Sequence, residues 1–232
     1  MNKWRVFSLL VGLVCLQTVQ ANVLPAENRI DRDSWQFDVF LDGNKIGFHE
    51  FQLERQGEQV TVQTEAQFDV KVLFVNLFSY RHQNTEFWQS GCLQNIEATT
   101  KANSDNFVVS GQVGENGFEF SDDSSRAPIT GCVKSFAYWN PDFRDETRLL
   151  NSQTGEYELV SVERVGTETI SLQGQEIPAV HYRLEAETAP ISLWYSGDSD
   201  RWLALETVAK GGRVLRYEPT SEAFMNQALS AD

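Results

Sequence analysis

The residues best suited to chemistry lie on one predicted strand, residues 78–89. Successive side chains of a strand point to opposite faces, so alternate residues share a face. One face of this strand carries five polar or aromatic side chains: Tyr80, His82, Asn84, Glu86 and Trp88. The other face is also largely polar, which is unusual for a half-buried strand. An edge strand wetted by solvent is the simpler interpretation, and the lining of a polar pocket is the alternative.

A histidine and a carboxylate on one face could share a proton. If the protein is an enzyme of the hydrolase type, His82 is the candidate general base or acid, and Glu86 is the candidate residue that orients it. Alternate residues of a strand stand about 7 Å apart, so the pair would need a polar residue from a neighbouring strand between them. This pair is the sole anchor for an enzyme, and we therefore favour a protein without catalytic activity.

Metal and cofactor motifs are missing from the sequence. The three histidines, His49, His82 and His181, do not occur at metal-ligand spacing. The sequence contains no GxSxG elbow, phosphate-binding P-loop or GxGxxG. We expect neither a metal nor a cofactor.

An apolar run, residues 70–78 with seven apolar residues interrupted by Lys71 and Asn76, precedes the polar row. If strands 60–71 and 78–89 form a hairpin, this run is its tip, where glycine, asparagine or aspartate is usual. Its side chains must therefore be covered, by folding over the end of the barrel as a plug, by lining the mouth of an apolar cavity, or by docking a membrane or protein partner. The candidate ligand-binding residues combine this run with the polar row: Leu73, Phe74, Val75, Leu77, Phe78, Tyr80, His82, Glu86 and Trp88.

The dominant hydrophobic period is two residues. Residues 60–70 alternate between apolar and polar side chains, as in a half-buried antiparallel strand. Similar stretches recur between turn signals, which predicts an all-β antiparallel barrel or strongly curved half-barrel of about ten strands. Residues 121–151 interrupt the pattern and predict one long irregular connection with a short helix near 142–150. Residues 221–231 predict a short C-terminal helix.

The first 21 residues indicate export. Lys3 and Arg5 precede an apolar run over residues 6–19, and Ala21 is suited to cleavage, as in a secretory signal peptide. We expect residues 22–232 to form a single all-β domain in the periplasm, without a transmembrane span. The net charge is −14, from 19 basic against 33 acidic residues, and becomes −16 without Lys3 and Arg5. Such a charge argues against nucleic-acid partners.

Two cysteines remain after removal of the signal, Cys92 and Cys132. In an oxidising compartment an even pair favours a disulfide over a reactive thiol. We therefore expect a bridge that ties strand 93–102 to the long connection.

Aromatic and structural motifs along the chain bear a resemblance to a known family. They are residues 35–53, Tyr80-Arg81-His82 through Glu86, Trp88 and Gly91 to Leu93, Tyr138-Trp139-Asn140-Pro141, Leu150-Asn151 with Thr154-Gly155, and Leu193-Trp194-Tyr195 through Trp202 to Tyr217. Over nearly the whole mature chain, the sequence resembles an uncharacterised family of exported proteobacterial proteins known only as a domain of unknown function. Its architecture is also similar to that of periplasmic half-barrel proteins. The resemblance implies a fold and no particular reaction.

Three functions follow as expectations, in decreasing order of support. The first is binding of a hydrophobic or amphipathic ligand such as a lipid inside the barrel or half-barrel. The second is an envelope interaction protein whose barrel is filled and which docks a protein partner through residues 72–78. The third is the enzyme centred on His82 and Glu86.

Overall fold

The computed structural model describes residues 29–72, 75–121, 126–197, 199–209 and 211–220. Within these ranges the chain forms thirteen strands of one sheet and one 3₁₀ helix, Pro141–Asp145. The strands are β1 (Ile30–Leu41), β2 (Asn44–Gln56), β3 (Gln59–Val72), β4 (Val75–Gln89), β5 (Cys92–Ala102), β6 (Asp105–Gly114), β7 (Gly117–Phe120), β8 (Arg148–Leu150), β9 (Tyr157–Leu172), β10 (Gln175–Ala186), β11 (Ile191–Ser196), β12 (Trp202–Ala209) and β13 (Arg213–Pro219).

The sheet consists of two meanders joined at one pair of strands. β1 to β7 lie side by side in chain order, β8 to β13 do the same, and β1 pairs with β13. β7 and β8 therefore lie at opposite edges, and the sheet is an antiparallel half-barrel that does not close. The predicted all-β class is confirmed. The strand number exceeds the predicted ten mainly because β7 and β8, with four and three residues, are too short to show alternation.

Aromatic rings pack where the two meanders meet. Phe37 of β1 lies 4.4 Å from Trp202 of β12, measured between ring centroids, and 5.9 Å from Tyr217 of β13. Phe51 of β2 packs edge-on against the same Trp202 at 5.4 Å. Offset and edge-to-face pairs of this kind stabilise a core beyond the effect of buried area alone. The concave face thus has an aromatic floor along the β1–β13 seam.

The connection between β7 and β8 crosses the concave face. We call its described part, residues 126–147, the crossover. Its backbone accepts a hydrogen bond from Leu93 of β5 through the carbonyl of Val133, at 2.9 Å. Trp139 packs edge-on against Trp88 of β4 at 5.4 Å. The crossover is therefore fixed to the sheet by its backbone and by its side chains.

The crossover differs from the predicted connection in its helix. We predict a helix near 142–150, but the structure has the 3₁₀ helix Pro141–Asp145 followed by strand β8. The side chain of Asn140 caps the helix by accepting from the backbone N–H of Asp142, and Pro141 suits the first helical position. The adjacent residues Leu149 and Leu150 are both fully buried and pair with β9, opposite Glu158 and Tyr157. The predicted helix over 221–231 lies outside the described residues.

The predicted disulfide is confirmed. Cys92 and Cys132 are bonded, with their Cα atoms 5.1 Å apart and a sequence separation of 40 residues. The bond ties the start of β5 to the crossover, as expected. Among the described residues, no helix has the length and apolar character needed to cross a membrane.

Loss of this disulfide should destabilise the protein. Replacement of both residues, Cys92→Ser with Cys132→Ser, should lower the free energy of unfolding by about 4 kcal/mol, the loop-closure value for a ring of this size. Urea unfolding of oxidised wild-type protein and the double variant measures the difference. Reduced wild-type protein serves as the control and should unfold like the variant; equal stability of oxidised and reduced protein contradicts the prediction.

Candidate functional site

The polar row of β4 faces the concave side of the half-barrel. Tyr80, His82, Asn84, Glu86 and Trp88 are all buried, with exposed fractions of 8% or less. β4 lies between β3 and β5 and is therefore an interior strand. The interpretation as a wet edge strand is wrong, because the row is covered by the crossover and lies against the neighbouring strands.

A polar cavity of about 220 Å³ lies between the sheet and the crossover. Its polar walls include His49, Thr64, His82, Asn84, Glu86 and Ser135. Aromatic residues of the crossover and of β12, among them Tyr138 and Trp202, complete the walls. A concave pocket with a few converging polar groups is the usual form of a small-molecule site.

The Glu86 carboxyl group is held by hydrogen bonds at the base of this cavity. Asn84 Nδ2 donates to Oε1 at 3.0 Å and Trp88 Nε1 donates to Oε2 at 2.9 Å. The side chain of Ser135, from the crossover, also hydrogen-bonds to it. Burial raises the pKa of Glu86 above its ordinary value, against the effect of these hydrogen bonds. Glu86 therefore links β4 to the crossover.

The two histidines of the cavity are held in the neutral form. His82 Nδ1 lies 2.9 Å from Thr100 Oγ1, and burial lowers the pKa of His82 to about 4. His49 Nδ1 lies 3.2 Å from the Tyr217 hydroxyl. Burial, together with the nearby His82, lowers the pKa of His49 to about 3. At neutral pH both imidazoles act as uncharged hydrogen-bonding groups.

Two buried atoms of residues that line the polar cavity have no hydrogen-bond partner within the described part of the chain. They are Nε2 of His49 and Oδ1 of Asn84. An unpaired buried polar group is costly, about 1–3 kcal/mol, so native proteins usually keep such groups for a ligand or water. Both atoms belong to side chains that line the polar cavity, and the described part of the chain leaves them unpaired.

An apolar cavity of about 490 Å³ adjoins the polar one. Its apolar walls include Leu41, Ile46, Phe68, Val70, Leu77 and Phe78. These residues come from the ends of β1 to β4 where the hairpins β1–β2 and β3–β4 turn. Four residues line both cavities: His49, Gln153, Leu215 and Tyr217. The two cavities therefore meet at these side chains.

The described residues of the apolar run 70–78 belong to the β3–β4 hairpin, at the end where it turns. β3 pairs with β4 from Gln59 opposite Gln89 to Val72 opposite Val75. Leu77 and Phe78 line the apolar cavity, and Leu77 is 60% exposed. Leu73 and Phe74 lie outside the described residues, and Val75 is described only in its backbone. Docking of a partner through residues 72–78 stays a prediction.

The predicted site residues divide between the two cavities. Tyr80 lines the apolar cavity, whereas His82 and Glu86 line the polar one. Trp88 lines neither and instead binds Glu86 and packs against Trp139.

Three important cavity residues were not predicted from the sequence: His49, Asn151 and Tyr217. His49 and Tyr217 lie at alternating positions of predicted strands, but their positions resemble those of ordinary core residues. The contact between them spans 168 residues of sequence, so no local pattern connects them.

The contacts and the pKa of His82 do not favour a role as a general base. Among the described residues, His82 hydrogen-bonds to the Thr100 hydroxyl and to the backbone of Thr99, and Glu86 to Asn84, Trp88 and Ser135. Within this part of the chain, no hydrogen bond joins His82 to an ionisable side chain. A general base works best with a pKa near the operating pH, and a pKa of about 4 is far below neutrality. In the described part of the chain no three histidine, cysteine or acidic residues are grouped to hold a metal ion.

The neutral histidines should make the protein sensitive to acid. The pKa of each is about 6.5 in the unfolded chain and lower when folded, so below pH 6.5 the unfolded chain binds more protons and stability falls. Each contributes a slope of up to about 1.4 kcal/mol per pH unit until its folded pKa is reached. The raised pKa of Glu86 acts in the opposite sense, since the folded state then takes up a proton first.

Replacing both histidines isolates their contribution. When the pH falls from 6 to 5, the free energy of unfolding should decrease in the wild-type protein and in the His49→Gln, His82→Gln variant. The decrease should be about 2 kcal/mol smaller in the variant. Urea unfolding at the two pH values measures this difference, and Glu86 is present in both proteins. Parallel losses in the two proteins would show that the histidines are not neutral when folded.

The family model described as a domain of unknown function, DUF6134, matches residues 37–220. A search of curated proteins finds no match to the sequence. Among solved structures, the crystal structure of a β-barrel-like protein of the domain of unknown function DUF1849 from Brucella abortus is similar, with a TM-score of 0.59. The match is 10% identical and covers 81% of this chain and 95% of that chain, so it shows the fold alone. Because the DUF6134 model spans most of the sequence, the chain belongs to this family of unknown function.

Proposed function

We propose that the protein is exported and binds an amphipathic, lipid-like small molecule on the concave side of its half-barrel. One observation carries the proposal: an apolar cavity and a polar cavity adjoin there and share four lining residues. In this arrangement the alkyl chain of the ligand lies against Leu41, Ile46 and Phe78. Its polar head reaches past His49 and Tyr217 towards Asn84.

The apolar cavity would supply most of the binding free energy. Burial of one methylene group contributes about 0.8 kcal/mol, which corresponds to about a fourfold gain in affinity. The walls of this cavity are mainly aliphatic and aromatic side chains, and its polar lining residues include His49, Gln153 and Arg213. Arg213 is paired with Asp42 at 2.7 Å, so its charge is already compensated. An alkyl chain therefore meets a surface without an unpaired charge at that position.

The polar cavity would orient the ligand. Its hydrogen-bonding groups come from several strands of the sheet, β2 to β4 among them, from the crossover, and from the β8–β9 and β10–β11 connections. The crossover is anchored by the disulfide and by the pair Trp88–Trp139, so these groups hold fixed positions. A preformed site of this kind binds without a large ordering cost.

Export to the periplasm is part of the proposal. The basic and apolar residues at positions 1–21 have the arrangement of a secretory signal. The disulfide between Cys92 and Cys132 is a bond that persists in oxidising compartments and is rare in the bacterial cytosol. Both observations support a location outside the cytoplasm.

Ligand binding is tested first by extraction. Protein purified from the periplasm in its oxidised form should release an amphipathic molecule into organic solvent, detected by mass spectrometry. Titration with straight-chain alcohols of eight to fourteen carbons should then give affinities that rise by up to about fourfold per methylene until the cavity is filled. Affinities independent of chain length contradict binding in the apolar cavity.

A charge in the wall of the apolar cavity should weaken binding. Leu77 lines this cavity and is 60% exposed, so Leu77→Asp should leave the fold intact while lowering the affinity for dodecanol at least about tenfold. Val165→Asp on β9 is the matched control, since Val165 is also exposed, at 57%, and lines neither cavity. Isothermal titration calorimetry compares the two variants. Equal loss of affinity in both would assign the effect to surface charge.

A further inference from the structure

The polar cavity has an unusual charge composition for a site that receives a head group. Among the described residues that line it, none is lysine or arginine, and Glu86 is the one carboxylic acid. Phosphate and carboxylate groups are normally recognised by arginine, lysine or a helix N-terminus. The strands and the crossover offer none of these within the described lining.

The single carboxyl group is already engaged by the protein. Asn84 and Trp88 each donate to a different oxygen of Glu86, and Ser135 also hydrogen-bonds to it. Its burial, with 3% of the residue exposed, disfavours the ionised form and leaves it poorly placed to pair with a cationic head group. The cavity therefore presents hydrogen-bonding groups, no basic side chain in its described lining, and one carboxyl group whose oxygens already accept hydrogen bonds from the protein.

The unpaired atoms define what the head group must supply. Oδ1 of Asn84 is an amide oxygen and can only accept a hydrogen bond, and the amide nitrogen of the same side chain already donates to Glu86. Nε2 of His49 is a donor or an acceptor according to its tautomer. A ligand that satisfies Asn84 must therefore carry an O–H or N–H donor.

We propose that the polar cavity selects an uncharged head group with a hydrogen-bond donor, such as the hydroxyl groups of a monoacylglycerol or a long-chain alcohol, and rejects anionic head groups. The inference rests on the proposed binding function and specifies its ligand class. Moving an anion from water into a buried site without a cation costs several kcal/mol, whereas a hydroxyl group exchanges its water hydrogen bonds for those of the cavity.

Four ligands with the same twelve-carbon acyl chain separate the head group from the chain. They are 1-monolauroyl glycerol, methyl laurate, laurate at pH 8 and lauroyl lysophosphatidylcholine, each measured by calorimetry below its micelle concentration. Monolauroyl glycerol should bind at least about tenfold tighter than laurate and the lysophospholipid. It should also bind more tightly than methyl laurate, which is uncharged but lacks a donor.

The outcomes distinguish this inference from the binding function itself. If none of the four ligands binds, the proposed function fails. If all bind within threefold of one another, or if laurate or the lysophospholipid binds most tightly, ligand binding stands and the head-group selectivity is overturned.

Variants locate the selectivity in the cavity. Asn84→Ala removes the unpaired acceptor and should lower the affinity for monolauroyl glycerol about tenfold, with little change for methyl laurate. Gln83→Ala is the matched control, because Gln83 is the neighbouring residue on β4 and is exposed on the opposite face. If Asn84→Ala does not fold by circular dichroism, His49→Phe removes the second unpaired atom and provides the same test. Equal affinity of wild-type protein and the folded variant for monolauroyl glycerol overturns the assignment.

Discussion

In a closed barrel the strands themselves enclose the inner face of the sheet. A half-barrel leaves that concave face open, and in this protein the crossover covers it. The contacts that hold the crossover in place include the Cys92–Cys132 disulfide, the Trp88–Trp139 ring pair and a two-point ion pair between Arg144 and Asp200 at 2.6 and 2.9 Å. The Arg144 guanidinium also lies over the ring of Tyr182, 4.6 Å from its centroid. A bidentate pair with a stacked cation is more specific than an ordinary surface ion pair.

The crossover does not fill all of the space over the concave face, and the remaining space is the polar cavity. The Tyr195 hydroxyl donates to the backbone carbonyl of Tyr138 at 2.8 Å, and Tyr138 packs against Trp202 at 5.3 Å. These contacts fill the half-barrel near β11 and β12. Over β2 to β4 the side chains are smaller or polar, such as Thr64 and Asn84, and a cavity remains. The site is thus the space between a fixed cover and the smaller side chains of the sheet.

Much of the fold could be predicted from local sequence patterns. The alternation in residues 60–70 defined β3 and its buried face, and the shared face of Tyr80 to Trp88 was correct because strand geometry alone determines it. Whether that face was wet or buried could not be predicted, since it depends on the strand neighbours of β4 and on the crossover. The β1–β13 pairing likewise joins residues at opposite ends of the chain, and local alternation contains no information about it.

The histidines show why residue type alone is a weak guide to function at this site. A histidine next to a carboxylate on a strand suggests proton transfer, but in the folded chain His82 contacts Thr100 and Glu86 contacts Asn84 and Trp88. Burial then lowers the pKa of His82 to about 4. At neutral pH almost no His82 is therefore in the imidazolium form that could act as a general acid. Its remaining capacity is that of a neutral hydrogen-bonding group in a site with no lysine or arginine in its described lining. The proposed head-group selectivity depends on groups of this kind, which interact with a molecule through its hydrogen-bond donors and acceptors.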